Sequence, residues 1–356
     1  MATMVNDDNF VRAESNRMFA GIQAQAGGVN RWGHFRALTP LDEQSVIRMN
    51  RDTLYSFAIV EISAGATLTI PDSGERYLSV MVVNQDHYIN RIFHEPGSYP
   101  ISTEEFDTPY VLLAARILVD ASDPDDVKQV NELQDGFSLT AQSNEPFVLP
   151  DYDEASFNTT RQALLSEAGT SVSDTHGMFG SKDEVDPTIH RIGAAAGWGG
   201  LPEQEAYYVL EEPQLPVGTY RISAKDVPVD AFWSVTVYDA DGFFQKNDLD
   251  AYSVNNISGV KNDDGSVTVI LGGTGDQPNS LPLTEGWNYT VRMYRPRPEV
   301  LDGSWTFPAF GACREITCRE TRNLVLHGSI GYGQGLQTGA AGSADAVAGG
   351  HALLAS

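Results

Sequence analysis

Two stretches of this chain are written in the residues of β-sheet, and helical stretches flank and separate them. In the first, residues 53–63, 66–70, 77–83, 88–93 and 110–118 are rich in β-branched and aromatic side chains. Asp72-Ser73-Gly74 and Pro96-Gly97 punctuate them, since glycine and proline adopt turn angles that a strand cannot continue through. The second comprises residues 206–210, 218–223, 231–238, 243–245, 266–271 and 287–294, with a turn at Asn262-Asp263-Asp264-Gly265. A first helix is expected to be capped by Asp7 and Asp8 and to end at Gly27-Gly28. Phe10, Val11, Met18, Phe19 and Ile22 fall on one of its faces. Ser122-Asp123-Pro124-Asp125 opens another helix, to about Leu133, and residues 153–168 and 187–196 form two more around a loop at 169–182. The pattern predicts a mainly β protein with helices. A β-sandwich spans residues 1–150, a helical bridge 151–200, and a second β-sandwich 201–308.

Length and charge narrow the class. The 356 residues exceed what one hydrophobic core usually organises, which agrees with two units. With 48 acidic and 23 basic residues, the formal charge is −25. Nucleic acid and anionic membrane surfaces are both bound through Lys and Arg, so neither is expected as a partner. Only five bases are lysine, a bias that high-GC coding produces and that also suits a salty solvent. Salt adaptation would show as destabilisation when the charges are unscreened. No basic segment followed by an apolar run opens the chain, and no 18-residue apolar stretch occurs; a cytoplasmic, reduced protein is expected. Residues 309–356 hold nine glycines, no lysine and both cysteines, Cys313 and Cys318. They are expected to be a disordered extension. Their acids and bases cancel, so the whole −25 resides on residues 1–308.

Particular phrases carry a family resemblance. Asn9-Phe-Val-Arg-Ala-Glu14 and Arg48-Met-Asn-Arg-Asp-Thr-Leu-Tyr-Ser56 resemble a bacterial family known as domain of unknown function 1254. Four further phrases resemble its usual companion, domain of unknown function 1214. They begin at Ile192, Asp230, Asp263 and Val291, and include Phe232-Trp-Ser-Val-Thr236 and Val291-Arg-Met-Tyr-Arg-Pro296. The resemblance spans about residues 8–308. It implies two jelly-roll-like β-sandwiches with intervening helices, often assembled into homo-oligomers, and it implies no settled activity. The companion's usual Asn-Trp-Leu-Pro phrase reads Asn279-Ser-Leu-Pro282 here, without the tryptophan. Many relatives carry an export signal; none is expected for this chain from its opening residues.

Several chemistries have no signature. There is no Gly-x-Ser-x-Gly elbow and no phosphate-cradling Gly-x4-Gly-Lys-Ser/Thr loop. His94-Glu95 is followed by Pro96, which ends the helix a zincin motif needs. Three clusters remain. Arg48, Asn50, Arg51, Asp52 and Tyr55 precede and open an apolar strand. There Arg51 could hold a carboxylate or phosphate, or pair with Asp52 and lock the strand in place. Asn84, Asp86, His87, Tyr88, Asn90, Arg91, His94 and Glu95 form a polar run. Within it His87 and His94, with Asp86 or Glu95, are candidates for divalent-metal ligands or for acid–base work. Their opposite parity on an extended strand argues against one shared ion, and a solvated hairpin is the plainer reading. Trp233, Tyr238, Trp287, Tyr289 and Tyr294 form an aromatic cluster, as core or as a stacking wall. His176 and His190 are expected at the surface or as caps.

Together these point to a hydrolase-like enzyme acting on a small polar or carbohydrate-like substrate between the two sandwiches. His87, Asp86 and Asp52 are the expected catalytic residues, and Asn50, Arg51, Tyr55 and Trp233 the substrate-binding ones. A divalent metal is the candidate cofactor. The alternative is a non-catalytic ligand-binding or assembly module with the same cleft.

Overall fold

The apolar stripe near the start becomes helix α1 (Phe10–Ala26), which buries Phe10, Met18, Phe19 and Ile22. Its cap position is Asn9, not Asp7 or Asp8, and the Asn9 Oδ1 accepts the Asn6 N–H instead of a helical one. Gly27, at φ 75°, ends the helix as expected: the Gly27 and Gly28 N–H groups close on the carbonyls of Ala24 and Gln23. The computed structural model describes residues 1–44, 47–171 and 175–312.

The first β region contains β1 (Gly33–His34), β2 (Thr53–Glu61), β3 (Ala66–Ile70), β4 (Leu78–Asn84), β5 (Arg91–Phe93), β6 (Gly97–Ile101), the short α2 (Thr103–Phe106) and β7 (Tyr110–Leu118). It is completed by α3 (Pro124–Asp135) and β8 (Ser138–Ala141). Asp123 caps α3 by accepting the Asp125 N–H, with Pro124 in the first turn, as the sequence predicts. Helices α4 (Glu154–Ser171) and α5 (Pro187–Ala196) lead to the second region. That region holds β9 (Ala206–Glu211), β10 (Tyr220–Ala224), β11 (Trp233–Tyr238), β12 (Ser253–Asn255), β13 (Val267–Leu271), β14 (Ser280–Leu281), β15 (Asn288–Tyr294), α6 (Pro298–Leu301) and β16 (Gly311–Ala312).

Each region encloses a core between two sheets. In the first, the order β1-β2-β7-β4-β5 faces the order β6-β3-β8, with Leu54, Val60, Leu68, Val80 and Leu113 between them. In the second, β12-β11-β15-β9 faces β14-β13-β10-β16 around Trp233, Val235, Val269, Leu271 and Trp287. The fold is thus a mixture of helices and mostly antiparallel sheets in two regions separated by helices. One pair, β13 with β14, runs parallel, and these strand orders do not display the jelly roll implied by the resemblance. A third core lies where α1, α4 and α5 cover the outer face of β2, β4 and β7. It also takes in Phe232 and Tyr294, so it ties the second region to the first.

Three expectations are corrected. Residues 243–245 form no strand, because the Asp239 Oδ1 accepts the Phe243 N–H and turns the chain there. The extended reading of residues 84–88 also fails. The Asn84 Oδ1 accepts the N–H groups of Asp86 and Tyr88, and His87 sits at φ 63°, which makes a tight turn. Residues 309–312 belong to the body: β16 pairs with Tyr220 and Arg221, and Phe310 packs against Tyr220 and Trp287. The rest of the expected extension, with Cys313 and Cys318, lies outside the described residues. Among the described residues, no helix is long and apolar enough to cross a membrane.

Candidate functional site

Strand alternation places two polar rows opposite each other. Tyr55, Phe57 and Ile59 of β2 face the helices, whereas Leu54, Ala58 and Val60 face the inner core. On that outer face Arg116 of β7 stands in register between Tyr55 and Ser79. In the second region Val291 and Met293 of β15 enter the core. Arg292 therefore projects to the other face, in register between Tyr208 and Ser234. These two faces meet and form a seam. Tyr77 packs on Phe232 and Tyr294 with ring centroids 5.3 and 5.5 Å apart, and Phe232 stacks on Tyr294 at 4.2 Å.

The segment Asn50–Asp52 bolts the seam at one end. The Asn50 Nδ2 donates to the Tyr294 hydroxyl at 2.6 Å, and its Oδ1 accepts the Asp52 N–H at 2.7 Å. The Asp52 carboxylate, 2% exposed, accepts the Ser234 Oγ–H at 2.5 Å and the Ser253 Oγ–H at 2.9 Å. Arg292 donates to the Thr236 hydroxyl, the Tyr238 hydroxyl and the Arg48 carbonyl at 3.1, 2.8 and 2.7 Å. Burial raises the hydroxyl of Tyr208 to about 12 and pushes those of Tyr77, Tyr238 and Tyr294 upward too. All four remain protonated donors at neutral pH.

Above the seam a groove runs between the two regions in two adjoining lobes, of about 340 and 480 Å³. Asp120, Val119, Asn255 and Ser258 line both. Arg51 and Asp52 line the smaller lobe; Tyr77, His94, Phe232 and Arg295 line the larger. Arg51 points away from Asp52. Its guanidinium lies over the rings of Tyr252 and Phe244, 4.9 and 5.5 Å from their centroids, with one hydrogen bond to the Thr39 carbonyl. Among the described residues Arg51 forms no ion pair, and the Arg295 side chain has neither ion pair nor hydrogen bond.

The expected site residues thus divide. Asn50, Arg51, Asp52 and Tyr55 gather at the seam and groove. Asp86 and His87 do not join them. Asp86 is held by Arg12, whose Nε donates to it at 2.6 Å. His87 is fully buried against Trp198, His190 and Phe179. Its Nε2 accepts the Gly199 N–H at 2.9 Å, and burial drives it well below the ordinary histidine range, so it stays neutral. It faces neither groove nor solvent. Trp233 is likewise a core residue, packed edge-on against Phe307. His190, expected at the surface, is buried, with its ring nitrogens 3.0 and 3.1 Å from the carbonyls of Met178 and Asp86. His94 does line the groove, but its ring nitrogens meet the Leu78 carbonyl at 3.2 Å and Glu205 at 2.9 Å. No group of three His, Cys, Asp or Glu side chains among the described residues could hold a metal. Arg116, Arg292 and Tyr208 were missed. For the two arginines the signal was a charge inside the strands Tyr110–Leu118 and Asn288–Tyr294; Tyr208, within Ala206–Glu211, carried none.

Comparison with known proteins supports the resemblance. Residues 29–99 match the family described as protein of unknown function (DUF1254), and residues 212–298 match protein of unknown function (DUF1214). No curated protein matches the chain. The VPA0106 protein from Vibrio parahaemolyticus is similar in structure, with a TM-score of 0.62 at 19% identity, over 86% of this chain and all of that one. A putative uncharacterised protein from Burkholderia cenocepacia gives 0.46 at 15% identity, over 81% of this chain and 84% of its own. The first likeness concerns the fold alone.

Proposed function

We propose that this protein binds a small polar or carbohydrate-like molecule carrying an acidic group in the groove between its two β regions. The observation that carries this reading is the pair Arg51 and Arg295, one in each lobe and neither in an ion pair among the described residues. In a chain with 48 acids and 23 bases, carboxylates are abundant, so two groove-facing guanidiniums outside any contact ion pair are notable. The Asp250 carboxylate, which lines the smaller lobe, acts on Arg51 electrostatically without pairing with it. Stacking on Tyr252 and Phe244 fixes Arg51 before a ligand arrives, which lowers the ordering cost of binding. The groove volumes suit a small molecule, and Asp52, Asn255 and Ser258 supply partners for hydroxyl groups. Binding is favoured over hydrolysis because Asp86 and His87 stand away from the groove and both ring nitrogens of His94 are engaged.

The test compares glucuronate with glucose, two probes that differ by one carboxylate, by thermal shift and calorimetric titration. Glucuronate is expected to bind saturably and glucose much more weakly. Arg51→Gln and Arg295→Gln should each weaken glucuronate about tenfold, as the loss of one charge-assisted contact does. Equal behaviour of the two probes, or no binding of either, would refute the reading.

A further inference from the structure

We infer that a second, buried oxyanion site lies inside the seam, formed by Arg116 and Arg292 with the hydroxyls of Tyr55 and Tyr208. Arg116 has no exposed surface, and its one hydrogen bond runs from Nη2 to the Gly199 carbonyl at 3.0 Å. Its Nε and Nη1 are buried without an acceptor, and so are the Arg292 Nε and the hydroxyls of Tyr55 and Tyr208. These groups are neighbours. The Arg116 guanidinium lies 5.7 Å from the Tyr55 ring centroid, and Tyr208 lies within electrostatic reach of Arg116, Arg292 and Tyr55.

The carboxylates nearby are already engaged. Asp52 accepts from Ser234 and Ser253, and Glu205 faces His94; neither forms an ion pair with Arg116 or Arg292. Two guanidiniums therefore sit near two carboxylates, Asp52 and Glu205, that are each committed to other partners and form no ion pair with them, in a protein of net charge −25. A guanidinium cannot neutralise itself by losing a proton, and an uncompensated buried charge is strongly unfavourable. A small oxyanion meets both needs at once: it brings a negative charge and several acceptors to donors that have none. The shared chemistry is that of inorganic phosphate and of the carboxylate of a small organic acid.

The experiment titrates the full-length protein with phosphate, acetate or chloride at constant ionic strength and follows the melting midpoint. Phosphate or acetate is expected to raise the midpoint saturably, and chloride to leave it unchanged. The stronger of the two names the source. Tyr55→Phe and Tyr208→Phe keep the rings in place and should each weaken the response about tenfold, the effect of one lost bond to an anion. Arg116→Met should abolish it, and the surface variant Arg297→Gln should not alter it. Should Arg116→Met fail to fold, the two phenylalanine variants decide. Absence of a saturable response beyond chloride overturns the site, as does a response that both phenylalanine variants retain in full. Density for waters alone against Arg116 in crystals grown in phosphate and in acetate overturns it as well.

Discussion

Replacing Asp52 with alanine should loosen the joint between the two β regions more than any other single change at the seam. The carboxylate is 2% exposed and accepts two hydroxyl hydrogens, at 2.5 Å from Ser234 and 2.9 Å from Ser253. Bonds to an ionised acceptor contribute about 1.5–3 kcal/mol each, so Asp52→Ala removes about 3–6 kcal/mol of favourable interaction. Ser253 is partly relieved by its contact with Thr236 at 2.9 Å, whereas Ser234 is fully buried and loses its acceptor outright. The net cost expected is about 3–5 kcal/mol, the range for leaving one side of a buried charged contact unpaired. Ser234→Ala alone should cost about 1.5–3 kcal/mol. A double-mutant cycle between the two should show a coupling of about 1–3 kcal/mol, because the residues touch directly. Guanidinium unfolding monitored by tryptophan fluorescence and by far-ultraviolet circular dichroism provides the assay. A cost below about 1 kcal/mol for Asp52→Ala, or a coupling near zero, would mean that this contact does not hold the seam.

Three other perturbations have expected outcomes. Burial holds His34 down at about 4, and His87 is pushed down by burial as well; the unfolded chain takes up these protons near pH 6.5. Stability should therefore be full above about pH 6.5 and fall as the pH drops toward 4; a flat urea midpoint across that window would contradict the assignment. Trp233→Ala should cost about 3–5 kcal/mol as a core truncation while leaving glucuronate affinity unchanged; a tenfold loss of affinity would return that residue to the ligand site. Gly272→Ala should destabilise by at least about 1–2 kcal/mol, since φ is +82° and a Cβ would fall 1.8 Å from the Gly218 carbonyl oxygen. A neutral result in thermal melts would refute that strain.

Much of the scaffold was legible because its signals are local. The strands Ala66–Ile70 and Tyr110–Leu118 and the helix Pro187–Ala196 fall where pattern and caps put them. The two-residue strands β1, β14 and β16 were not legible, since pairing with distant strands, not composition, makes them. Parity along β11 was also readable: Trp233, Val235 and Val237 share one face, and Ser234 and Thr236 share the other. Alternation alone does not say which face meets the partner sheet, and so Trp233 went to the ligand when Ser234 is the residue at the seam. His87 was misplaced for a different reason. A side chain–backbone turn at Asn84 overrides the strand period that had placed His87 at a cleft. Arg116 carried the plainest unread signal, a charge within Tyr110–Leu118 whose neighbours are otherwise apolar.

The groove is tested most directly by titrating glucuronate calorimetrically into the wild-type protein and into the Arg51→Gln/Arg295→Gln double variant, side by side. The two arginines sit in different lobes, and loss of one charge-assisted contact at each should compound. The account predicts saturable binding to the wild type and a dissociation constant about a hundredfold higher in the double variant. The same dissociation constant for both proteins would contradict it.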